Sequence, residues 1–225
     1  MTSSINFAHI QFLLDGTWWT IVLSLMAFGG GGFVGFLIAL GRIAPIKPLR
    51  ILVSAWVQLI QGTPLLVIMF MIYFGLPQLG WSVSPLFAAG ISLTIYASAY
   101  LGEIWRGCIQ AVPYSQWEAA ECLALSRSQR MFKVILPQAV KLATPPTVGF
   151  SVQIIKNTSL ASVVGFIELA RAGQLINNSI FEPFSIYLIV AAVYFCLCFP
   201  VSVLSRRLEK TGSQRKTKRH SLTSQ

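Results

Sequence analysis

Two charged residues stand out because long apolar stretches surround or precede them. Lys156 is the one charged residue between Leu142 and Ile167, and Glu103 follows an uncharged run that begins at Ile51. A charge inside an apolar segment is costly, and it marks a solute path or an ion pair. We expect Lys156 to contact a solute, to reach back to the membrane surface with its long side chain, or to pair with Glu103.

Uncharged polar side chains beside these two residues extend the same candidate path. They are Tyr100, Asn157, Thr158 and Ser159. Their amide and hydroxyl groups offer hydrogen-bond donors and acceptors to a polar solute. The alternatives are that the hydroxyls bond to the backbone of their own helix and that Tyr100 faces the lipid interface.

Enzymatic and metal chemistry have no matching motif in the sequence. There is no His-Glu-x-x-His and no Gly-x-Ser-x-Gly, and the run Gly29–Gly32 lacks the Lys-Ser/Thr of a nucleotide-binding loop. The four cysteines lack metal-ligand spacing. We therefore predict no catalytic residue, metal or ATP site in this chain. Gly31-x-x-x-Gly35 is interpreted as a helix-packing face or, alternatively, as a hinge.

The composition indicates that these residues are held by membrane-spanning helices. Of 225 residues, 55% are hydrophobic and 11% are charged, whereas a soluble domain has about 25% charged residues. An ordinary soluble enzyme, a disulfide scaffold and a disordered chain are thereby excluded. Uncharged runs that can cross about 30 Å of hydrocarbon predict an all-α membrane protein. Its five predicted spans are residues 17–41, 52–75, 84–105, 142–167 and 184–204.

The basic residues give the chain an orientation. Fifteen of the 17 Lys and Arg fall on one side of the membrane if the N-terminus is outside, and cytoplasmic loops are the basic ones. We therefore predict an external N-terminus and a cytoplasmic C-terminus. The net charge of +10 then reflects topology, and no nucleic-acid partner is needed to explain it.

The two ends of the chain are expected to lie outside the spans. Residues 1–16 contain no Lys or Arg, so no cleavable signal peptide is predicted, and this segment is expected to be external. Residues 209–225 are polar and basic, and we expect them to be disordered at the cytoplasmic membrane surface.

The connection of residues 106–140 is too long and too helical to be a simple loop. Residues 116–125 are rich in the helix formers Ala, Leu and Glu. Ser126 can cap a second helix over residues 127–135, which is expected to end before Pro137. Such a helical pair suits docking into a groove of a cytoplasmic partner. An interfacial helix on the lipid surface fits the pattern equally well.

Family resemblance favours the docking interpretation. Glu118-Ala119-Ala120, followed by Ile135-Leu136-Pro137, resembles the EAA loop of the integral membrane subunits (permeases) of bacterial ABC importers. Between about Gly16 and Glu209 the chain is similar to their polar amino-acid branch. The other matching stretches are Gly62-Thr63-Pro64-Leu65-Leu66, Ala99 to Gly107, Val134 to Ala139, and Ile155 to Ser162.

The resemblance implies a transport subunit within a larger assembly. Two permeases, of the same or a sister chain, would face each other in the lipid of the bacterial inner membrane, above two cytoplasmic ATPases that bind ATP and Mg. An external binding protein would deliver a small polar amino acid, which crosses by alternating access. The implied coupling residues are Glu118, Ala119, Ala120 and Ala124, and residues 17–208 would form the transmembrane domain.

Three positions depart from the family pattern. Ala124 stands where glycine is usual in the turn between the two cytoplasmic helices, Gln61 replaces an arginine, and Phe150 replaces an asparagine. Alanine reaches positive φ only at a cost, which bears on the turn geometry. The rival functions are an autonomous secondary transporter or channel, which needs proton-relay residues in the spans, and a membrane-anchored enzyme, which lacks a catalytic constellation.

Overall fold

The structure of the protein, a computed structural model, describes residues 5–223, with side chains as far as Lys210. All regular structure in this part of the chain is helical, and stretches that follow without a break form eight helices. These are α1 Phe7–Ile43, α2 Lys47–Gly62, α3 Leu65–Gln78, α4 Pro85–Gln110, α5 Tyr114–Cys122, α6 Arg127–Val164, α7 Leu169–Ile180 and α8 Pro183–Thr223.

Three helices are candidate spans by themselves, and the predicted number of five is reached if each of two bent helix pairs is counted as one span. Helices α1, α4 and α8 are each long and apolar enough to cross a membrane, and the pairs α2–α3 and α6–α7 each qualify as one bent span. The predicted span 84–105 matches α4 closely. The fold class is therefore confirmed as an all-α polytopic membrane protein.

The centre of the bundle is the seam between α1 and α4. A Cβ atom added at Gly31 would lie 2.5 Å from the Cβ of Ala97, and one at Gly35 would lie 3.0 Å from the carbonyl oxygen of Ser98. On α4, a Cβ added at Gly102 would lie 2.6 Å from Ile38. Because these glycines have no side chain, the two backbones can approach closely. The predicted packing role of Gly31-x-x-x-Gly35 is confirmed.

The second span is broken where a straight helix was expected. The predicted segment 52–75 is divided into α2 and α3, which meet at an angle of 100°. The break falls at Thr63-Pro64, because the proline ring disfavours a helical conformation in the residue before it. The turn to the third span starts within the predicted Gly75–Gly80 segment, at Leu79, and extends to Ser84, because α3 continues through a π-helical stretch, Met71–Gly75, as far as Gln78.

The fourth span begins inside the connection of residues 106–140. The second cytoplasmic helix was expected to end before Pro137, but α6 continues without a break from Arg127 through Asn157 and ends in a 3-10 turn at Val164. A π-helical stretch, Arg130–Ile135, precedes the proline and provides the irregular geometry in which its ring is accommodated. The further pair Pro145-Pro146 also lies inside the helix.

Both end segments are more helical than expected. Helix α1 already begins at Phe7, capped by the side chain of Asn6, so residues 7–16 extend the first span. Helix α8 continues to Thr223, where the sequence predicted disorder from residue 209; no proline follows Pro200 to end it. Residues 1–4 and 224–225 of the two predicted end segments lie outside the described residues.

Three of the four apolar clusters in the described part of the chain follow one another along the bundle. The central one joins α1, α3, α4 and α6 through residues such as Leu23, Met69 and Leu93. One end cluster packs the start of α1 against α7 and α8. The opposite one brings Ile43 at the end of α1 together with Ile109 of α4 and α5 and α6. The loop 106–140 therefore lies at the end of the bundle opposite to the start of α1.

The end formed by α1, α7 and α8 is held by a buried polar network. The fully buried carboxylate of Glu168 accepts hydrogen bonds from two backbone amides in the first turn of α7, each at 2.9 Å, and from the Tyr194 hydroxyl at 2.8 Å. The Thr20 hydroxyl oxygen accepts a bond from the Leu169 amide at 3.2 Å. Three helices are thereby joined at one point.

We predict opposite effects on stability for alanine at two glycines of α1. Gly31→Ala should lower the free energy of unfolding by about 1–3 kcal/mol, because its Cβ overlaps Ala97 and forces the helices apart. Gly29→Ala has nothing within 4 Å of its Cβ and should gain up to about 1 kcal/mol from helix propensity. Denaturant unfolding of the detergent-solubilised protein measures both, and equal shifts would contradict the seam.

Candidate functional site: a coupling loop and a polar path

The loop between α4 and α6 presents a short exposed helix. Helix α5 follows Pro113, and Glu118 and Ala119 are exposed on it. Ala120 is 2% exposed, and Trp117 of the same helix packs against the cluster that contains Ile109 and Ile135. Of the predicted coupling residues, Glu118 and Ala119 thus face outward, and Ala120 is buried.

The turn after α5 uses alanine in a left-handed conformation. Ala124 has φ 54°, its N–H donates to the carbonyl of Glu121 at 2.8 Å, and the Leu125 N–H donates to the carbonyl of Ala120 at 3.3 Å. This is the Schellman pattern, in which glycine is the usual residue at the left-handed position. The turn geometry is therefore the one that the expected glycine would support, with alanine under strain.

Helix α6 starts immediately after this turn. Ser126 caps it as predicted: its hydroxyl accepts a bond from the Gln129 N–H at 3.3 Å, and the Gln129 side chain accepts one from the Ser126 N–H at 3.0 Å. This reciprocal pair is a capping box. The predicted helical pair is therefore present, with α5 over Tyr114–Cys122 instead of residues 116–125.

The candidate path residues of α4 and α6 meet through an aromatic stack. The rings of Tyr96 and Tyr100 have centroids 4.4 Å apart, and Phe150 stacks on Tyr100 at 5.5 Å with an interplanar angle of 13°. The Asn157 side chain interacts with the Tyr96 hydroxyl and accepts a bond from Gln153 at 3.1 Å. Tyr100 and Asn157 are therefore part of one mixed aromatic and polar cluster.

Sequence reasoning missed two members of that cluster. Tyr96 lies one helical turn before Tyr100, and Gln153 one turn before Asn157, so i,i+4 spacing was the signal that could have found them. Phe150 had been noted only as a departure from the family pattern. In the structure its ring occupies the side of the stack that faces α6.

The hydroxyls after Asn157 are directed at their own backbone. The Thr158 hydroxyl donates to the carbonyl of Ile155 at 2.7 Å, and the Ser159 hydroxyl donates to the carbonyl of Lys156 at 2.8 Å. Thr158 is also fully buried. The structure thus shows the alternative use of these donors, and their oxygens keep only acceptor capacity for other partners.

Lys156 and Glu103 do not form an ion pair, which was one of the three alternatives for Lys156. Glu103 binds Arg42 at the end of α1, at 3.3 Å, and Arg106 of its own helix through both carboxylate oxygens. It therefore ties α1 to α4 at the end that carries the coupling loop. The helix seam brings Arg42 within reach, which a reading of single spans could not show.

The Lys156 ammonium group is exposed and forms no hydrogen bond or ion pair within the described part of the chain. It lies near the end of the α-helical part of α6, on the turn that also carries Asn157, and its charge acts on Cys198 of α8. Among the side chains that the structure describes, residues 5–210, no three His, Cys, Asp or Glu lie close enough to hold a metal. The contact of Lys156 with a solute therefore stays a prediction.

Three to five candidate spans, joined by a helical connection at one end of the bundle, define a polytopic membrane protein. The sequence model for binding-protein-dependent transport system inner membrane components matches residues 31–211. The chain therefore belongs to this family of transport-system membrane subunits.

Individual relatives share almost the whole chain. It is 37% identical to the probable glutamine ABC transporter permease protein GlnM of Bacillus subtilis, over 94% of this chain and 100% of that protein. It is 36% identical to the L-cystine transport system permease protein TcyB of the same organism, over 88% and 87%.

A solved structure shares the fold along nearly its full length. The crystal structure of an amino acid ABC transporter with histidines contains a chain that is 33% identical, with a TM-score of 0.86 over 92% of this chain and 99% of that one. Inward-facing MetNI, a methionine ABC transporter, has a TM-score of 0.77 at 20% identity and supports the fold alone.

We predict that glycine at the strained turn stabilises the protein. Ala124→Gly should raise the free energy of unfolding by about 0.5–1 kcal/mol, because the left-handed conformation costs alanine about 1–2 kcal/mol and the added freedom of unfolded glycine offsets part of the gain. The matched change Ala119→Gly, inside α5, should cost about 1 kcal/mol. Thermal unfolding of the solubilised protein compares them, and a loss of similar size in both would disprove the strain.

Proposed function

We propose that this chain is the permease subunit of an ATP-driven importer for polar amino acids. The observation that carries the proposal is the exposed helix α5, which is followed by a Schellman turn and a capping box at one end of a bundle of membrane-spanning helices. Relatives named as glutamine, cystine and amino-acid ABC permeases support the substrate class.

The proposed assembly contains two permeases, of this or a sister chain, two cytoplasmic ATPases and an external binding protein, in a bacterial inner membrane. ATP and Mg²⁺ belong to the ATPases, and this chain supplies no catalytic residue. Support comes from charge: the end that carries α5 also carries Arg42, Arg106, Arg130 and Lys133, and basic loops are cytoplasmic. The surface of Glu118 and Ala119 then faces the ATPases.

In the proposed transport cycle, the ATPases displace α5, and the membrane-spanning helices change their relative positions in response. Because α5 packs on the first turns of α6, a displacement of α5 also moves α6. The turn of α6 that carries Asn157 and Lys156 then moves with it. That turn adjoins the aromatic stack on α4, so the helices on either side of the path shift relative to each other. Such rigid-body motion about packed interfaces is a recognised form of conformational switch.

The path residues favour a zwitterionic solute. The Lys156 ammonium suits a carboxylate through a charge-assisted hydrogen bond, and the faces of Tyr96 and Tyr100 suit an ammonium group through cation–π attraction. The carboxylate of Glu103 is occupied by two arginines, which leaves it little capacity to bind a cationic solute.

An autonomous ion-driven transporter is the competing function. It needs a titratable carboxylate or imidazole within the spans that can exchange protons. Glu103 lies near the end of a span, but its carboxylate is paired with Arg42 and Arg106. Glu168 is fully buried, and its carboxylate already accepts hydrogen bonds from the protein. The side-chain environment therefore supports ATP-driven coupling over proton coupling.

Changes on the exposed face of α5 should uncouple transport. Ala119→Glu places a charged side chain in the proposed docking surface, and Glu118→Ala removes a carboxylate from it; we expect uptake to fall at least tenfold, with unchanged membrane insertion. The control Ala111→Glu adds the same charge at an exposed position before α5 and should retain uptake. Proteoliposomes with the complete transporter measure uptake and ATP hydrolysis. Normal uptake by the Ala119→Glu variant without any ATPase would refute the importer.

Removal of the Lys156 charge should weaken substrate transport. We expect Lys156→Ala to lower uptake about 10- to 100-fold, since a hydrogen bond to a charged group contributes about 1.5–3 kcal/mol and 1.4 kcal/mol corresponds to about tenfold. Lys141→Ala, on the same helix and also exposed, is the matched control. Uptake of labelled glutamine and cystine by assembled transporters tests this, and unchanged kinetics would assign Lys156 to the surface.

A further inference from the structure

Helix α6 connects the coupling loop directly to the candidate path. It is helical without a break from Arg127 to Asn157, which corresponds to roughly 45 Å at about 1.5 Å per residue. Its first turns support α5, and its far end carries Asn157 next to Tyr96. Motion of α5 reaches the path only if α5 keeps a fixed position on α6.

Two polar contacts define that position. The Glu121 carboxylate, near the end of α5, lies 3.0 Å from Nη1 of Arg130, near the start of α6. The Gln138 amide Nε2 donates to Oε1 of Gln116 at 3.1 Å and to the carbonyl of Val134 at 3.0 Å. One contact lies near each end of α5, so together they resist both sliding and rotation of α5 on α6.

Neither charge of the ion pair stabilises the helix that carries it. Glu121 lies in the last turn of α5, where the helix dipole favours cations, and Arg130 is the fourth residue of α6, close to the end where the dipole favours anions. Neither charge is therefore explained by helix stabilisation. Their placement is explained by their pairing with each other.

The ion pair is also a weak contributor to folding. The Arg130 side chain is 18% exposed and that of Glu121 is 70% exposed, and such surface pairs contribute about 0–1 kcal/mol. The apolar attachment of α5 consists of Trp117, which packs against the cluster of Ile109 and Ile135, and of Ala120, which is 2% exposed. An apolar contact holds α5 to the bundle without fixing its angle, whereas the polar contacts are directional.

We propose that Glu121 and Arg130, with Gln116 and Gln138, are positioning residues that clamp the coupling helix α5 to α6 and thereby set how much solute is moved per ATP hydrolysed. The proposal rests on the proposed function as an ATP-driven permease. These residues act through α5 and touch neither solute nor nucleotide.

The experiment is a charge exchange in the complete transporter, reconstituted in proteoliposomes with its ATPases and binding protein. The measured quantity is ATP hydrolysed per labelled glutamine or cystine taken up. Arg130→Glu and Glu121→Arg each place like charges together, and each should raise this ratio at least threefold. The double exchange restores an attractive pair in reversed order and should return the ratio to within twofold of the native transporter.

Matched variants separate positioning from folding. Lys133→Glu makes the same charge change one turn further along α6, where the lysine forms no ion pair in the described part of the chain, and it should leave the ratio unchanged. A loss of folded protein lowers ATP hydrolysis and uptake together and does not move the ratio. If Arg130→Glu fails to assemble, Arg130→Gln should still raise the ratio, and Arg130→Lys should keep it native.

Three outcomes overturn the clamp: a native ratio in both single exchanges, an equal rise with Lys133→Glu, or a double exchange as poor as the single ones. In each of these the native transporter still takes up solute with ATP, so the proposed function survives. A native assembly that takes up neither amino acid with ATP would overturn the proposed function, and the clamp with it.

Discussion

The close approach of α1 and α4 is the contact on which the rest of the structure depends. A bilayer offers no water-driven force between apolar helices, so association rests on close packing and on hydrogen bonds. Gly31, Gly35 and Gly102 supply that packing by omitting side chains at the crossing. Once the seam is set, Arg42 reaches Glu103, and the opposite face of α4 offers Tyr96 and its neighbours to α6.

Local signals in the sequence predicted which segments are helical but not where the helices bend. Uncharged runs predicted five spans, and Ser126 predicted the start of α6, because span length and capping are properties of a few consecutive residues. The prolines were ambiguous. Pro64 ends a helix at a 100° bend, whereas Pro137 follows a π-helical stretch inside a continuous one. Tertiary packing decides between these outcomes, and no single stretch of sequence records it.

The candidate site shows the same division between local and long-range information. Charge in an apolar run correctly singled out Glu103 and Lys156 as unusual residues, but their pairing was wrong because it depends on which helices touch. The strained turn at Ala124 was foreseen, since the conformational cost belongs to the residue itself. The aromatic stack of Tyr96 and Phe150 joins different helices, so only the folded chain reveals it.

The two ends of the bundle are fastened by different kinds of interaction, and this difference bears on motion. At the end that joins α1, α7 and α8, Glu168 is fully buried and its hydrogen bonds exclude water; leaving such a buried group unpaired is costly. At the opposite end an apolar cluster is joined by partly exposed ion pairs, Arg42–Glu103 and Glu121–Arg130, and exposed pairs are worth about 0–1 kcal/mol each. Helices joined by weak, directional contacts can change their angle at little cost while each contact still defines a preferred one. A partner that displaces α5 therefore acts at the end of the bundle where the helices rearrange at a small free-energy cost, while the buried network holds the other end together.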